Sequence, residues 1–419
     1  MTIRRSCLWL ACSLLLSSTA TLAQDPESIT VTKLTENLHL LATDQGSYTT
    51  NSLLLSTPDG LLLVDTQGTG DGPALKEVVD SYGQGTPKYI INTHRHGEHI
   101  GGNVQFGTDP VVIAHHLLPS KLNNGPEVFT EYPPATYPDI TVADSLTIFF
   151  GGEVIEIHAI AGSHDDNEIM VHFVDQKVVH ISSIVNGFNF PSVDEAGDAL
   201  KFADLVRFAT SLIPEDATVV SGHNRNGTHA DMVEYAAMLD GTLAAVQRGL
   251  EAGKTVAAMQ EERILEPWEV YAGSYVSEDD WIETLAESME PRPDPGKPIF
   301  ASLYATYKKQ GAKAAVDLYH QYLHESGGIY DCGEFDLLSI GARLQEKEKL
   351  TDAAVFLEAS TVEYGESEYT FYTEYLLADL YDQLGDQDRA RLHCDRSLAL
   401  KTDFSAAVEL GEKLAAKED

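Results

Sequence analysis

The chain is poor in cationic residues and in long apolar runs, and each shortage narrows the class of protein. It has 28 Lys and Arg against 65 Asp and Glu in 419 residues, a formal net charge of −37. Such a surface repels nucleic acid and anionic membranes and keeps a protein soluble. The apolar run near the N-terminus, Cys7–Leu16, is shorter than the roughly 20 residues that span a bilayer. We therefore expect no nucleic-acid partner and no membrane span.

The N-terminus has the pattern of an export signal. Arg4 and Arg5 precede the apolar run, and Thr21-Leu22-Ala23 ends on a small residue. This order is typical of a secretory signal peptide cleaved after residue 23. The sequence therefore predicts an exported bacterial protein, periplasmic or secreted.

Cysteine is scarce, with four in the chain, and two of them lie in the predicted signal. The other two are Cys332 and Cys394, both near the C-terminus. In an oxidising compartment they could form one disulfide, or they could be two buried free thiols. Neither reading makes them catalytic. Nucleophile motifs of the G-x-S-x-G kind and glycine-rich phosphate loops are also missing from the sequence.

The length of the chain and a change in its sequence pattern predict two domains after the signal peptide. Short apolar strands interleave with helical patterns up to about residue 222, which favours a layered α/β domain over residues 24–290. Four prolines within residues 291–298 indicate a stiff linker. Residues 299–419 then show a succession of helical patterns with almost no strand signal.

Two segments of the C-terminal region look like copies of one unit, offset by 37 residues. The corresponding positions are Ile340, Gly341, Leu344, Ala353 and Leu357, followed by Leu377, Ala378, Tyr381, Ala390 and Cys394. The large-small-large pattern resembles tetratricopeptide helix hairpins, whose usual period is about 34. Such repeats stack around a concave groove, so a peptide or protein partner is one interpretation. A helical lid or oligomerisation module without a ligand of its own is the other.

Three histidines and one carboxylate fall within six residues, just after an apolar run. Successive extended residues alternate faces, so His94 and His96 can point toward one ion. Gly97 permits a turn that brings Glu98 and His99 to a second position. Imidazole and carboxylate are ligands of zinc and of neighbouring divalent metals. The stretch therefore predicts a metal site rather than a polar loop.

Two further histidines follow apolar strands at a distance along the chain. His164 comes after the strand that ends near Ile160, and His223 comes after a strand and Gly222. Three strand ends that each deliver histidine are what a metal site at one edge of a sheet requires.

This succession resembles the metallo-β-lactamase superfamily. Its pattern is a strand ending in Asp, then HxHxDH, then later histidines, and here the Asp is Asp65. The resemblance covers roughly residues 29–290 and implies an αββα sandwich with a metal site at one edge. It implies two trios of zinc ligands: His94, His96 and His164, then Glu98, His99 and His223. Asp65 would orient a ligand through a hydrogen bond. The predicted catalytic residues are Asp65 and Glu98, and Glu98 is also a predicted metal ligand.

Two positions depart from the family pattern. Glu98 stands where the family has aspartate, one methylene shorter, and Ser183 stands where many members have an aspartate that bridges both metals. A serine hydroxyl is a poor zinc ligand. We therefore expect one or two zinc ions, the second bound more weakly.

Two functions follow from these observations. The first is an exported zinc-dependent hydrolase, in which zinc-bound hydroxide attacks an ester, lactone, amide or β-lactam bond of a small-molecule substrate. The alternative is a catalytically impaired scaffold of this fold whose helical repeats bind a peptide or protein.

Overall fold

The computed structural model describes residues 29–125, 128–129, 132–194, 196–273, 275–290, 297–327, 329–367 and 369–417. The predicted signal peptide and most of the predicted linker lie outside these residues. The described part of the chain divides into two compact units. One contains the described residues within 29–119 and 133–290, and the other those within 120–132 and 297–417.

The first unit contains two β-sheets. The strands of the seven-stranded sheet run in chain order: β1 Thr30–Lys33, β2 Leu38–Asp44, β3 Thr49–Thr57, β4 Gly60–Val64, β5 Tyr89–Ile91, β6 Val111–His115 and β7 Ile140–Val142. The six-stranded sheet has the order β13-β12-β11-β10-β9-β8: β8 Ser145–Phe150, β9 Glu153–Ala159, β10 Ile169–Phe173, β11 Val178–His180, β12 Thr218–Val220 and β13 Gly227–Thr228.

Both sheets contain antiparallel and parallel pairs of strands. In the first sheet β1 to β4 pair antiparallel, whereas β4, β5, β6 and β7 pair parallel. In the second sheet the pair β11 and β12 is parallel and the others are antiparallel. Parallel neighbours end at the same edge of a sheet, so the loops that follow them meet there.

Three apolar cores show the layers of this unit. One core lies between the sheets, with Leu53 and Ile91 from one sheet and Ile157 and Val171 from the other. The outer face of the first sheet packs on helix α1, Gly72–Asp80, and the outer face of the second packs on four further helices. These are α4 Phe202–Ser211, α5 His229–Glu251, α6 Val256–Glu261 and α7 Glu278–Met289. The short helix α2, Gly97–Ile100, lies in the loop after β5, and α3, Leu118–Asn124, belongs for the most part to the second unit. The predicted αββα sandwich is confirmed.

Local signals explain where several elements begin. Pro58 and Asp59 form the turn between β3 and β4, and Gly60 has a φ of 127°, which glycine adopts without a Cβ penalty. Helix α5 begins with a capping box in which Thr228 and Asp231 satisfy each other's backbone N–H. Among the described residues, no helix combines the length and the apolar character needed to cross a membrane.

The second unit is all-α over its described residues, as predicted. Its helices after residue 297 are α8 Phe300–Gln310, α9 Ala312–Glu325, α10 Glu334–Glu346, α11 Leu350–Glu363, α12 Thr370–Gln383, α13 Gln387–Leu400 and α14 Ser405–Ala415. All ten positions of the two predicted copies are buried. Gly341 packs against Leu357, where a Cβ would lie 2.5 Å from Cγ. The tetratricopeptide assignment stays a prediction. Cys332 and Cys394 are free thiols.

Three strands, β7, β8 and the two-residue β13, have no clear strand pattern in the sequence. Only Val142 of β7 is buried, and β8 alternates buried Ile148 and Phe150 with exposed neighbours. Phe149 points outward with 79% of its surface exposed, so an apolar triplet at the end of β8 obscures the alternation.

Candidate metal centre

The loops after the parallel strands converge at one edge of the two sheets. Asp65 directly follows β4, His94 lies three residues after the end of β5, and these strands pair in parallel. In the second sheet Ser182 follows β11 and His223 follows β12, again a parallel pair. His164 lies in the loop between β9 and β10. Strands separated along the chain therefore supply side chains to one place.

The first trio brings three ring nitrogens together. His94 Nε2 lies 3.0 Å from His96 Nδ1, and His96 Nδ1 lies 3.4 Å from His164 Nε2. Tetrahedral zinc with Zn–N bonds of about 2.0–2.1 Å separates its ligand nitrogens by roughly 3.3 Å. The spacing of His94, His96 and His164 therefore fits one ion, and they form one of the possible metal-binding groups of the described residues.

The second trio lies beside the first and is formed by Glu98, His99 and His223. His99 Nε2 is 3.2 Å from His223 Nε2. Glu98 Oε1 lies 3.9 Å from His223 Nε2 and also 3.9 Å from His96 Nδ1 of the first trio. The predicted ligands are thus assembled in the predicted trios, with the Glu98 carboxylate between them.

Asp65 holds the loop that carries the histidines. Its Oδ1 accepts from the Thr93 backbone N–H at 2.7 Å, and its Oδ2 accepts from Thr93 Oγ1 at 2.7 Å. Oδ2 also lies 2.7 Å from His99 Nδ1, so His99 Nε2 faces the second trio. Asp65 has a φ of 59°, a left-handed conformation that is uncommon outside glycine. These contacts are those that an orienting aspartate needs.

Backbone carbonyls hold the histidines that come from distant strands. His164 Nδ1 lies 3.0 Å from Ser192 O, and His223 Nδ1 lies 3.1 Å from Thr49 O. A carbonyl can only accept, so in each ring Nδ1 carries the hydrogen and Nε2 keeps a lone pair for the trio. The outer partners thereby favour the tautomer that a metal ligand requires.

His96 is held by a carboxylate that the sequence analysis did not single out as a site residue. His96 Nε2 lies 2.7 Å from Asp194 Oδ2, and Arg95 binds Asp194 at 2.5 Å and Asp165 at 2.8 Å. These acids form a third possible group with His96, but both already pair with the Arg95 guanidinium. Burial opposes the charged ring of His96, yet Asp194 outweighs it and raises the pKa of His96 to about 9. Alternation along the extended segment could have indicated that Arg95 points away from the ligands.

The remaining ionisation states suit metal binding. Burial, and then the neighbouring imidazoles, lower the pKa of His94 well below its usual value and the pKa of His223 to about 3. The same causes lower the pKa of His164 to about 4. For Glu98, burial opposes ionisation, but the charged ring of His96 outweighs it and the pKa is lowered to about 2. Three histidines are therefore neutral and Glu98 is a carboxylate at neutral pH.

The serine that contacts a trio histidine is Ser182 rather than Ser183. Ser182 Oγ lies 3.4 Å from His94 Nδ1. Ser183 Oγ is buried without a hydrogen-bond partner among the described residues, and a Cβ on Gly222 would lie 2.7 Å from it. The expected replacement of a bridging aspartate by Ser183 therefore places an unpaired hydroxyl against the loop of His223. Ser182 was missed because serine next to serine gives no signal in sequence.

Tyr48 covers the second trio from the loop between β2 and β3. Its ring meets that of His223 edge-on, with ring centroids 5.2 Å apart. Backbone contacts fix this position, because Thr49 N donates to Asn224 Oδ1 and Asn224 N donates to Thr49 O. Burial, and then the charge of Glu98, raise the pKa of the Tyr48 hydroxyl, which therefore keeps its proton.

The αββα sandwich and the two adjoining histidine-rich trios at one edge agree with the class that the sequence implied, the metallo-β-lactamase superfamily. Residues 46–223 match the sequence model of the metallo-beta-lactamase superfamily, which confirms for this domain the resemblance seen in the sequence. The match of residues 46–223 to this superfamily, together with the trios, supports a metal-dependent hydrolase at the level of class.

Solved structures similar to this chain include metallo-β-lactamases. One from Pontibacter korlensis is 19% identical with a TM-score of 0.45, covering 51% of this chain and 99% of its own. DIM-1 metallo-beta-lactamase is 18% identical with a TM-score of 0.42, covering 51% of this chain and 97% of its own. Similarity at this level does not extend to substrate. None of the curated proteins compared with the chain matches it.

Proposed function

We propose that the protein is an exported zinc-dependent hydrolase that cleaves an ester, lactone, amide or β-lactam bond. The observation that carries this proposal is the pair of adjoining trios, His94, His96 and His164 beside Glu98, His99 and His223. Their inner atoms converge within 3.0–3.9 Å, while the outer ring nitrogens bind protein acceptors. A histidine-rich surface loop has no need of such paired outer contacts.

The donor set fits zinc. Imidazole nitrogen and carboxylate oxygen are both zinc ligands, and the first trio has the nitrogen spacing of a tetrahedral site. Zinc in this centre would lower the pKa of a bound water to about 7 and so supply hydroxide near neutral pH. The protein's own contribution is to hold the imidazoles in place and to add the negative charge of Glu98 between the trios.

Tyr48 has the chemistry of a substrate contact. Its hydroxyl stays protonated, so it can donate a hydrogen bond to a carbonyl or leaving-group oxygen, and its ring supplies an apolar surface beside His223. Tyr275 extends this aromatic surface, with ring centroids 6.2 Å from Tyr48. A substrate with an apolar or aromatic substituent fits such a rim better than a highly charged one.

A substrate screen of the zinc-loaded protein tests the proposal. Wild type is compared with His96→Ala, which removes a predicted ligand, and with His229→Ala, which removes a histidine at the start of helix α5. The substrates are a chromogenic cephalosporin, lactones and aryl esters. We expect wild type and His229→Ala to hydrolyse at least one class and His96→Ala to have lost that activity.

Two outcomes would overturn the enzyme interpretation. Activity that persists in His96→Ala would place the reaction elsewhere. A complete lack of activity, with a peptide found on the helical repeats, would favour the scaffold instead. Export is tested separately, because mass spectrometry of the protein from its native host should give an N-terminus at Gln24.

A further inference from the structure

Glu168 is a buried carboxyl outside both trios. It directly precedes β10 and is 0% exposed. Burial raises the pKa of Glu168 to about 8, against the effect of its hydrogen bond with Ser182. A carboxyl held at such a cost in desolvation needs partners, and these partners lead to the metal centre.

The contacts of Glu168 fix the hydroxyl of Ser182. Glu168 Oε1 accepts from Ser182 Oγ at 2.9 Å and from Ser183 N at 3.2 Å. Ser182 N donates to His180 Nδ1 at 3.2 Å. Ser182 itself has a φ of 56°, in the left-handed region that serine rarely adopts. Ser182 is therefore held in a strained conformation that directs its hydroxyl between Glu168 and the first trio.

Two hydroxyl oxygens reach the outer nitrogen of His94. Thr93 Oγ1 lies 3.2 Å from His94 Nδ1, and Ser182 Oγ lies 3.4 Å from it. A hydroxyl has one hydrogen to donate. Thr93 Oγ1 donates its hydrogen to Asp65, and Ser182 Oγ donates its hydrogen to Glu168. Both oxygens therefore present only lone pairs to His94.

This arrangement determines the tautomer of His94. Facing two acceptors, Nδ1 must carry the hydrogen, and the neutral imidazole then has its lone pair on Nε2. That nitrogen is the one that lies 3.0 Å from His96 Nδ1 in the first trio. Asp65 and Glu168 thus act on one metal ligand, each through a hydroxyl whose hydrogen is donated to a carboxyl oxygen.

We infer that Glu168, through Ser182, is a positioning residue that sets the tautomer and ring orientation of His94 for metal binding. The inference rests on the proposed function, because it concerns the metal of the first trio. Residues that orient metal ligands typically contribute about 10–100-fold to metal affinity. A purely structural Glu168 would instead affect folding stability and leave the metal site unchanged.

Ser182→Gly separates these two roles. Glycine accepts the left-handed backbone, so the fold is retained while the hydroxyl is lost. Glu168→Gln supplies a second arm, since its amide N–H can donate to Ser182 and release the serine hydrogen toward His94. Thr210→Val is the matched control, because it removes a buried hydroxyl that donates to Val206 O within helix α4.

The readouts are the zinc dissociation constant by chelator competition, the absorption spectrum of the cobalt-substituted protein and the histidine ring ¹⁵N shifts. We expect Ser182→Gly to bind zinc about 10–100-fold more weakly and to shift the His94 resonances. Glu168→Gln should change the zinc affinity and the His94 resonances in the same direction, and Thr210→Val should leave both unchanged.

Three other results would overturn the inference, the role of Glu168 or the proposed function. Equal zinc affinity and unchanged His94 shifts in both variants would overturn the inference while the proposed function stands. Loss in Ser182→Gly alone would overturn the role of Glu168. Wild type that binds no zinc would refute the proposed function, and this inference with it.

Discussion

The two trios are neighbours, but they are built differently. In the first, the three inner nitrogens are linked by separations of 3.0 and 3.4 Å, all from imidazole. In the second, two nitrogens lie 3.2 Å apart and the third donor, Glu98 Oε1, is 3.9 Å from the nearest of them. Glu98 is also more exposed, with 31% of its side chain accessible, whereas His99 is fully buried.

This difference shows how a longer side chain changes a metal site. The extra methylene of Glu98 lets its carboxylate lie equally far from His96 and His223, so it does not belong to the second trio alone. A ligand that must order a flexible side chain gives up conformational entropy on binding. We therefore expect the first trio to bind zinc more tightly than the second, and the following experiments test that order.

Removal of one histidine from each trio should have the largest and most unequal effects. His164→Ala should weaken the tighter zinc site by more than about 100-fold, because a lost ligand exceeds the effect of a lost orienting contact. His223→Ala should leave that tight site within a few-fold of wild type. Zinc stoichiometry and chelator competition measure both. Equal losses in the two variants would mean that the trios bind as one unit.

Asp65→Asn should act mainly on the second trio. The amide nitrogen would meet donors, since both oxygens of Asp65 already accept hydrogen bonds from Thr93 and one contacts His99. We expect about 10–100-fold weaker zinc at the second site and about 1–3 kcal/mol of lost unfolding free energy. Zinc titration and urea unfolding measure these effects. Undiminished zinc binding would contradict the orienting role of Asp65.

The first trio should show a pH dependence that the second lacks. Because Asp194 raises the pKa of His96 to about 9, metal must displace a proton from His96 below that pH. Zinc affinity of the first trio should then rise about tenfold per pH unit from 7 to 9 and level off above.

The folding stability of the metal-free protein should change with pH in the opposite direction to zinc affinity. The folded pKa of His96 lies above its usual value near 6.5, so its stabilising pair with Asp194 is complete below pH 6.5 and is lost as pH rises through 9. Asp194→Asn should flatten both profiles. A slope that persists in Asp194→Asn would assign the proton to another group.

Glu98→Asp should have the smallest effect. If the added methylene weakens the second trio, aspartate should raise zinc affinity and hydrolytic rate there by a few-fold, within the range of about 1 kcal/mol for a single contact. Glu98→Gln is the control for charge, because it keeps the length and removes the negative charge. Unchanged values in Glu98→Asp would reject the explanation by side-chain length.

The sequence predicted the sandwich and the metal-binding stretch from local signals, and the resemblance to a known family implied the six trio residues. Apolar strands, the turn at Pro58–Gly60 and the tight spacing from His94 to His99 are each visible within a few positions. Strands β7, β8 and β13 lack a clear pattern of alternation in the sequence and were not predicted. The contact of Ser182 with His94 became visible only in the structure.

What the sequence determined by itself is the chemistry of the stretch from His94 to His99 and the order in which His164 and His223 follow it. Only the tertiary structure decided which atoms face a metal. Asp194 is 98 positions from His96, and Glu168 reaches His94 through Ser182, 14 positions further along. Such outer contacts depend on strand ends that meet at one edge, and the direction of a hydroxyl hydrogen is set by three-dimensional neighbours.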